Sequence, residues 1–410
     1  MPKERRHDAG DNPGHTHDPA SNAPARRDWT KLPQDLAAEI AGRLLAVDLT
    51  EYIRFRAACK PWRQSTDDPR ALHSRFLPRN WVVLPNHAAG EGTRRRLLNV
   101  ATGASIAGVD LPELSGGHHP LGCAEGLVVL WNTAASAVRL VNPLTRAVTD
   151  LPDFSPLFAD APKAVLDSTH QFRGFGVVDG GAAPAPATAT VVLCLDGEVP
   201  MVACVRPGEP RWALADTSSL AAKASLRSVL SLRGRVDVST STGDVLAVEL
   251  RPAPRLVYVI RQAATATATA TATVPPPPAP MRSFFLAPSG DDAGVILVRA
   301  TRDRREVEVF EVDVDGRRLI PTTTVGADRA VFIGSARALS VSTPLFPCIA
   351  ANAVYFCTGH GSTGLLFYVF HVDEGRGEAA FSGQEAGPFL APCNLDVYLA
   401  CCVDLVHAFM

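Results

Sequence analysis

Lysine is nearly missing from this chain. Of 40 basic residues, the lysines are Lys3, Lys31, Lys60, Lys163 and Lys223, and the rest are arginine. Alongside abundant alanine and proline, that imbalance reads as coding bias rather than a phosphate-binding device, and it leaves few lysines for modification. With 42 acidic residues the net charge is −2, so bulk electrostatics favour neither nucleic acid nor a membrane surface. A run of about eighteen uncharged apolar residues is also lacking, so no membrane span is expected. The stretch 395–410 comes nearest, but Asp396, Asp404 and His407 interrupt it. Residues 1–27 are polar, carry no apolar leader-like core and are expected to be disordered.

Metal and catalytic patterns are equally scarce. The nine cysteines are odd in number and scattered, which excludes a tidy disulfide framework. They read as small core residues of a reducing compartment, cytoplasm or nucleus. His118 and His119 with Cys123 lie in what reads as a Gly-rich loop, without a second ligand pair at finger spacing. His7, His15 and His17 read as solvated, and the adjacent Cys401 and Cys402 are poor tetrahedral partners. Neither a G-x-x-x-x-G-K-[ST], nor H-E-x-x-H, nor G-x-S-x-G sequence occurs. Residues 359–364 fit G-x-G-x-x-G, but the run 365–370 after them reads as a strand rather than the helix a dinucleotide needs. Arg94 to Arg96 read as a solvated hairpin tip. No metal, cofactor or catalytic residue is expected.

What is present is a patterned stretch at 28–63. Behind Leu32 and Pro33, with Asp35 near the positive end of a helix dipole, Leu36, Ile40 and Leu44 recur every four residues. Ala37, Ala41 and Leu45 lie beside them. Asp48 is placed to cap a second helix, whose stripe is Leu49, Tyr52, Ile53, Phe55, Cys59 and Trp62. Pro61 is expected to end regular structure near Lys60. About forty residues cannot bury enough surface to stand alone, so these leucines need a partner or the rest of the chain.

This stretch resembles the F-box. The resemblance is carried by Trp29, Leu32-Pro33, Asp35-Leu36, Ile40, Leu44, Asp48, Arg54-Phe55-Arg56, Cys59-Lys60 and Trp62-Arg63. It implies an F-box over 28–66 that docks onto a Skp-type adaptor and, through it, a cullin. The adaptor-binding set it suggests is Leu32, Pro33, Leu36, Ile40, Leu44 and Leu45, with Cys59 and Trp62 pinning the second helix. Some of these face the F-box interior by the family's example, and the sequence does not separate the two groups.

A short helical linker is expected at 67–80. From Trp81 the periodicity changes from four to two, with short β-rich runs at 81–84, 96–100, 127–132, 137–141, 191–195, 201–205, 229–232, 236–240, 245–250, 256–260, 295–299, 307–314, 330–333, 354–358 and 365–372. Turn signals such as Asn142-Pro143, Arg233-Gly234 and Asp315-Gly316 separate them. The fold class expected is α+β multidomain, a helical F-box followed by a large all-β, propeller-like domain over 81–410. Low-complexity loops are placed at 180–190 and 263–280. A clean repeat of 40 to 50 residues is not visible, so Kelch and WD patterns are not supported.

The segments 73–81, 140–145, 234–250, 326–334 and 352–356 together resemble plant F-box proteins with a KIB-type β-propeller. The tail after Phe381 departs from that family by lacking a Trp-containing end, which leaves the last blade and the closure of the ring open. The resemblance implies a non-catalytic substrate receptor of a Skp-cullin-F-box ubiquitin ligase, whose propeller binds a target protein that the sequence does not name. The alternatives are a scaffold that uses the F-box without degradation and a propeller-type enzyme with acidic or histidine residues converging from several blades.

Overall fold

In the computed structural model, the described residues are 28–382 apart from 85–92, 115–117, 133, 136, 159–171, 179–188, 198, 223, 263–281, 291–293, 335–336 and 362–363. The tails 1–27 and 383–410, including Cys401 and Cys402, lie outside them, as do the insertion at 263–280 and nearly all of the other. That second insertion is shorter than expected, because Ala189 is buried and Thr190 already begins a strand.

Helix α1 (Gln34–Val47) starts behind Pro33 and ends where Asp48 turns extended. Asp48 then caps α2 (Leu49–Ala58), its Oδ1 accepting from the Thr50 amide at 2.7 Å. Cys59 is extended and breaks the helix, but Pro61 does not end regular structure. It opens a third helix, α3 (Lys60–Gln64), because a proline in a first turn forfeits no hydrogen bond. The expected helix between 67 and 80 is also corrected: a single 3-10 turn, Ser74–Phe76, lies there with His73 as its cap. Two features explain the loss. Asp68 precedes a proline, which disfavours helical dihedrals. Its carboxylate is also engaged by the Arg70 backbone and side chain, a bond that holds it down to about 2.

The remainder is a six-bladed β-propeller. The first sheet is β1 (Trp81–Leu84), β2 (Arg94–Asn99) and β3 (Ser105–Asp110). The second runs in order through β4 (His118–Ala124), β5 (Leu127–Asn132), β6 (Ala137–Val141) and β7 (Val148–Asp153). In the third, β8 (Phe172–Val178), β9 (Thr190–Leu195), β10 (Met201–Val205) and β11 (Ala213–Leu214) follow the same antiparallel order. The fourth holds β12 (Leu226–Leu232), β13 (Arg235–Thr240), β14 (Val245–Glu249) and β15 (Arg255–Ile260). The fifth holds β16 (Arg282–Ser289), β17 (Gly294–Thr301), β18 (Val307–Asp313) and β19 (Arg318–Thr322).

The sixth sheet departs from this plan. Its order is β21 (Ala338–Ser342), β20 (Arg329–Ile333), β22 (Ala353–Gly361), β23 (Gly364–His371) and β24 (Arg376–Ser382), with β20 and β22 parallel. Gly359 to Gly361 and Gly364 therefore belong to two paired antiparallel strands.

Two-residue periodicity turns these sheets into a ring. On β17, Ile296, Val298 and Ala300 fill the gap toward the sixth sheet, while Val295 and Leu297 fill the gap toward the fourth. On β9, Val191, Leu193 and Leu195 face the second sheet, while Val192 and Cys194 face the fourth. Each gap between neighbouring sheets holds one apolar core. The core that closes the ring joins Val82, Leu84, Leu98 and Val100 to Ala330, Phe332, Val341 and Tyr355. Among the described residues, the ring is closed by this hydrophobic packing between the first and last sheets.

Cys194 and Cys204 sit fully inside the third gap, on adjacent strands, as core residues. Burial raises both thiols, Cys204 to about 12, so neither is a thiolate at neutral pH. Iodoacetamide applied to the folded protein should therefore modify the exposed Cys348 and spare Cys194 and Cys204 until the protein unfolds, as read by peptide mass mapping. Rapid modification of the buried pair would show that this gap opens.

Candidate functional site

The apolar stripe expected on α1 divides into two faces. Ala37 and Ala41 are buried against Leu49, Tyr52 and Phe55 of α2, because two methyl groups let the helices approach closely. Leu36 and Ile40 point outward, 44% and 40% exposed, and are helical neighbours at i and i+4. Pro33 is exposed beside them, as is Trp29. Leu32, Leu44, Leu45 and Trp62 are half-buried against the helical core. The Trp62 ring stacks on Phe55 at 4.4 Å, and its Nε1 donates to the Trp29 carbonyl at 3.1 Å. Cys59 is half-buried at the break between α2 and α3. The sequence-derived set thus separates into an outward group, Pro33, Leu36 and Ile40, and an inward group that holds the helices together.

The helices are fastened to the propeller through Asp48. While its Oδ1 caps α2, its Oδ2 accepts from Trp81 Nε1 and from Asn99 Nδ2, both at 2.9 Å. Phe76 of the linker completes the helical core and meets Tyr52 at 5.5 Å. Leu144 joins them from the turn after β6. Asn142 at that turn donates from Nδ2 to the Phe76 carbonyl at 3.2 Å.

Asn99 and Asn142 share a geometry. Each Oδ1 accepts two backbone amides just beyond it, Ala101 and Thr102 in one case and Leu144 and Thr145 in the other. Thr102 and Thr145 then accept from Ala104 and Ala147 at 3.3 Å. The matching strings are Asn99-x-x-Thr102-x-Ala104 and Asn142-x-x-Thr145-x-Ala147. This short turn repeat between the first two blades was there in the sequence, although no full-length repeat was visible.

Gly126 sets how near the linker can lie. It has φ +84°, and a Cβ on it would stand 1.9 Å from the Pro78 carbonyl oxygen. Gly126→Ala should lower stability by more than ~1 kcal/mol, through both the left-handed backbone and the clash. Thermal melting would read that loss, and an unchanged midpoint would mean that the linker packs elsewhere.

Between the helical module and the ring lies a cavity of about 720 Å³. The α1–α2 joint, Gly42 and Leu45 to Leu49, roofs it, and the linker lines one side. Strands β12, β16 and β21 and the turn after β4 line it from the ring, together with Trp81, Val100, Ala101, Phe175 and Arg329. Among its lining residues are Arg75, Arg79, Arg233, Arg329 and Arg337, against the carboxylates Asp48 and Glu125. Glu125 is paired with Arg79 at 2.6 Å and accepts from Ser231 Oγ at 3.1 Å.

Two other sequence expectations are relocated. His118, His119 and Cys123 belong to strand β4 rather than a loop. Arg94 to Arg96 lie on β2, with Arg95 buried, rather than at a hairpin tip. Among the described residues, no group of three or more His, Cys, Asp or Glu side chains is placed to hold a metal ion. None of the described helices is long and apolar enough to cross a membrane.

A ring of six antiparallel-rich sheets with a helical module on one face accords with the comparison to known families. The KIB1-4 beta-propeller family matches residues 96–382. The chain belongs to that family. Within this KIB1-4 propeller, the matched span begins inside β2 and ends with β24, so it takes in all of the ring but β1 and the start of β2. Over 51 residues the chain is also 47% identical to an F-box protein of Arabidopsis thaliana, a match covering 12% of this chain and 12% of that protein's length. Among solved structures, it is similar to the Cps50 (Swd1) beta-propeller domain of Myceliophteria thermophila, at 12% identity and a TM-score of 0.36, covering 75% of this chain and 88% of that one. It is likewise similar to the Nup133 beta-propeller domain of Vanderwaltozyma polyspora, at 8% identity and a TM-score of 0.31, covering 73% of each chain. At such scores these likenesses carry no functional information.

Proposed function

We propose that this protein is the substrate-recognition subunit of a Skp-cullin-F-box ubiquitin ligase. The helical module docks on a Skp-type adaptor, and the KIB1-4 propeller holds a target protein. The carrying observation is the pair Leu36 and Ile40, large apolar side chains left outward on a helix whose inner face is already filled by Ala37 and Ala41. A helix that has packed its core and still presents leucine and isoleucine has a surface suited to another apolar partner. The partial likeness to an F-box protein supports a Skp-type adaptor as that partner. The protein then contributes proximity rather than bond chemistry, making a bimolecular encounter local. It works in the cytoplasm, the nucleus or both, where the free thiols of its core stay reduced.

Affinity purification of the full chain tests this reading. The expected result is stoichiometric recovery of a Skp-type adaptor together with a cullin. Recovery of adaptor without cullin would overturn the ligase assignment in favour of a scaffold, and recovery of neither would remove the F-box assignment altogether. Proximity labelling with a Leu32→Ala, Pro33→Ala variant should enrich the target, which escapes degradation while remaining bound to the propeller.

A further inference from the structure

We propose that the end of the ring remote from the helical module, where the fourth and fifth sheets meet, binds an acidic segment of the target protein. This rests on the reading of the ring as a target holder, and it names the surface and the chemistry used. Strand direction places that surface. β16 starts at Arg282 and ends beside Pro288 and Gly290, which line the cavity under the module. Arg282 pairs with Thr301, so the β17–β18 turn, residues 302–306, lies at the other end. β12 likewise ends at the cavity, which Leu232 and Arg233 line, while Leu226 at its start pairs with Thr240. The β13–β14 turn, residues 241–244, therefore shares the remote end. It touches β16, because a Cβ on Gly243 would stand 2.7 Å from the Phe284 ring. Arg261 is beside this turn, since the Gln262 amide donates to Asp244 Oδ1 at 2.6 Å.

Arg304 is the anomaly on this surface. Its Cζ lies 4.9 Å from the ring centres of both Phe285 and Phe356, and its Nε and Nη1 are sealed from solvent without an acceptor. Buried donors nearly always have one. Burial lowers the pKa of Arg304 with no carboxylate acting against it, and the guanidinium stays charged at neutral pH. Two aromatic faces thus hold a cation that nothing in the chain neutralises, leaving Nη2 to meet a ligand. A carboxylate brought to it is screened less than in open water. Arg261, Arg282 and Arg302 stand around it, exposed and without an ion pair among the described residues. The acids of the same surface are mostly engaged. Asp244 accepts from Thr242 and the Gln262 amide, and Asp303 accepts from Thr301 and lies 3.6 Å from Arg305. Glu306 is the exposed carboxylate left. Unpaired guanidiniums therefore outnumber unpaired acids here, in a chain whose net charge is −2. The interleaved acids oppose the evenly spaced charge of a polyphosphate backbone. They suit a peptide, whose carboxylates are placed singly, and the half-buried Phe284 and Phe285 offer it apolar contact.

Fluorescence anisotropy of a labelled hexaglutamate peptide, titrated with the full chain at low ionic strength, tests it. Saturable binding is expected, weakening as salt is added. Arg282→Gln with Arg302→Gln, both at exposed positions, should fold normally and weaken binding at least about tenfold, since two charge-assisted contacts are lost. Arg304→Met keeps an apolar stem over the two Phe rings, removes the charge and should weaken binding by a similar factor. Arg317→Gln, exposed in the β18–β19 turn at the module end of the fifth sheet, should leave it unchanged. Absence of saturable binding, or equal affinity in the Arg282/Arg302 variant, would overturn the proposal. Tighter binding of oligothymidine than of hexaglutamate would overturn it in favour of nucleic acid. Every variant should still recover the Skp-type adaptor. Failure of the unaltered chain to recover it would count against the ligase reading and leave the peptide result standing.

Discussion

Replacing Leu36 and Ile40 together by alanine should cut adaptor binding roughly ten- to sixtyfold while leaving the fold intact. Fully burying one such side chain is worth about 1.5–3 kcal/mol. Leu36 and Ile40 are 44% and 40% exposed, so only the exposed part of each is gained on docking. That leaves about 1.3–2.5 kcal/mol for the pair, and each 1.4 kcal/mol is tenfold. The stability of the free chain should move little, because exposed substitutions away from caps and cores usually stay within about 0.5 kcal/mol. Leu44→Ala provides the contrast. Its side chain packs on the helical core, so the loss should register first in the melting temperature. Titration of purified adaptor, with circular dichroism on each variant, separates the two effects. Full-strength binding by the Leu36/Ile40 double variant would move the interface off this face of α1.

The alternation that reveals the sheets is uneven around the ring. Strands buried on both faces are legible as near-continuous apolar runs, as in β5 and β9, where every residue but Asn132 is buried. Their neighbours are not. The inner strand β4 reads His118-His119-Pro120-Leu121-Gly122, and its histidines and glycine read as a loop rather than a strand. The outer strands β3 and β7 hold one buried residue between them and β11 is only two residues long, so little hydrophobic pattern marks them.

The helical site shows the same limit in another form. Its register was legible from spacing, but Leu36, Ala37, Ile40 and Ala41 lie too close on one helix for spacing to say which pair faces in. Size decided it: alanines fit where α1 and α2 nearly touch, and the larger side chains are left outside. The arginine-lined cavity had no linear signature at all, since its charges come from residues 75 to 337 and meet only when the ring closes.

Asp48→Asn should loosen the helical module, although it is nearly isosteric. One carboxylate here serves four donors: the Thr50 amide and hydroxyl at Oδ1, and Trp81 Nε1 and Asn99 Nδ2 at Oδ2. An asparagine offers one acceptor oxygen and a donor NH₂ group. If its oxygen keeps the cap, the NH₂ faces Trp81 and Asn99, which are themselves donors and are 3% and 1% exposed. If it turns the other way, the cap of α2 is lost, at about 1 kcal/mol. In the first arrangement two buried donors lose their acceptor, each costing about 1–3 kcal/mol. The lower-cost arrangement keeps Trp81 and Asn99 satisfied through one oxygen and sets the NH₂ against the Thr50 amide, so at least about 1–2 kcal/mol is lost either way. Asp48→Ala removes every acceptor and should cost about 3–6 kcal/mol. The damage should be local: the contacts broken join the module to the first sheet, whereas the apolar cores between the other sheets are untouched. Limited proteolysis should then cut between α1 and Trp81 first, releasing a folded propeller. Hydrogen exchange should rise in α1, α2 and β1 before the middle strands of blades two to five. Cooperative loss of the whole ring at the same step would instead mean that the Asp48 joint supports the propeller itself.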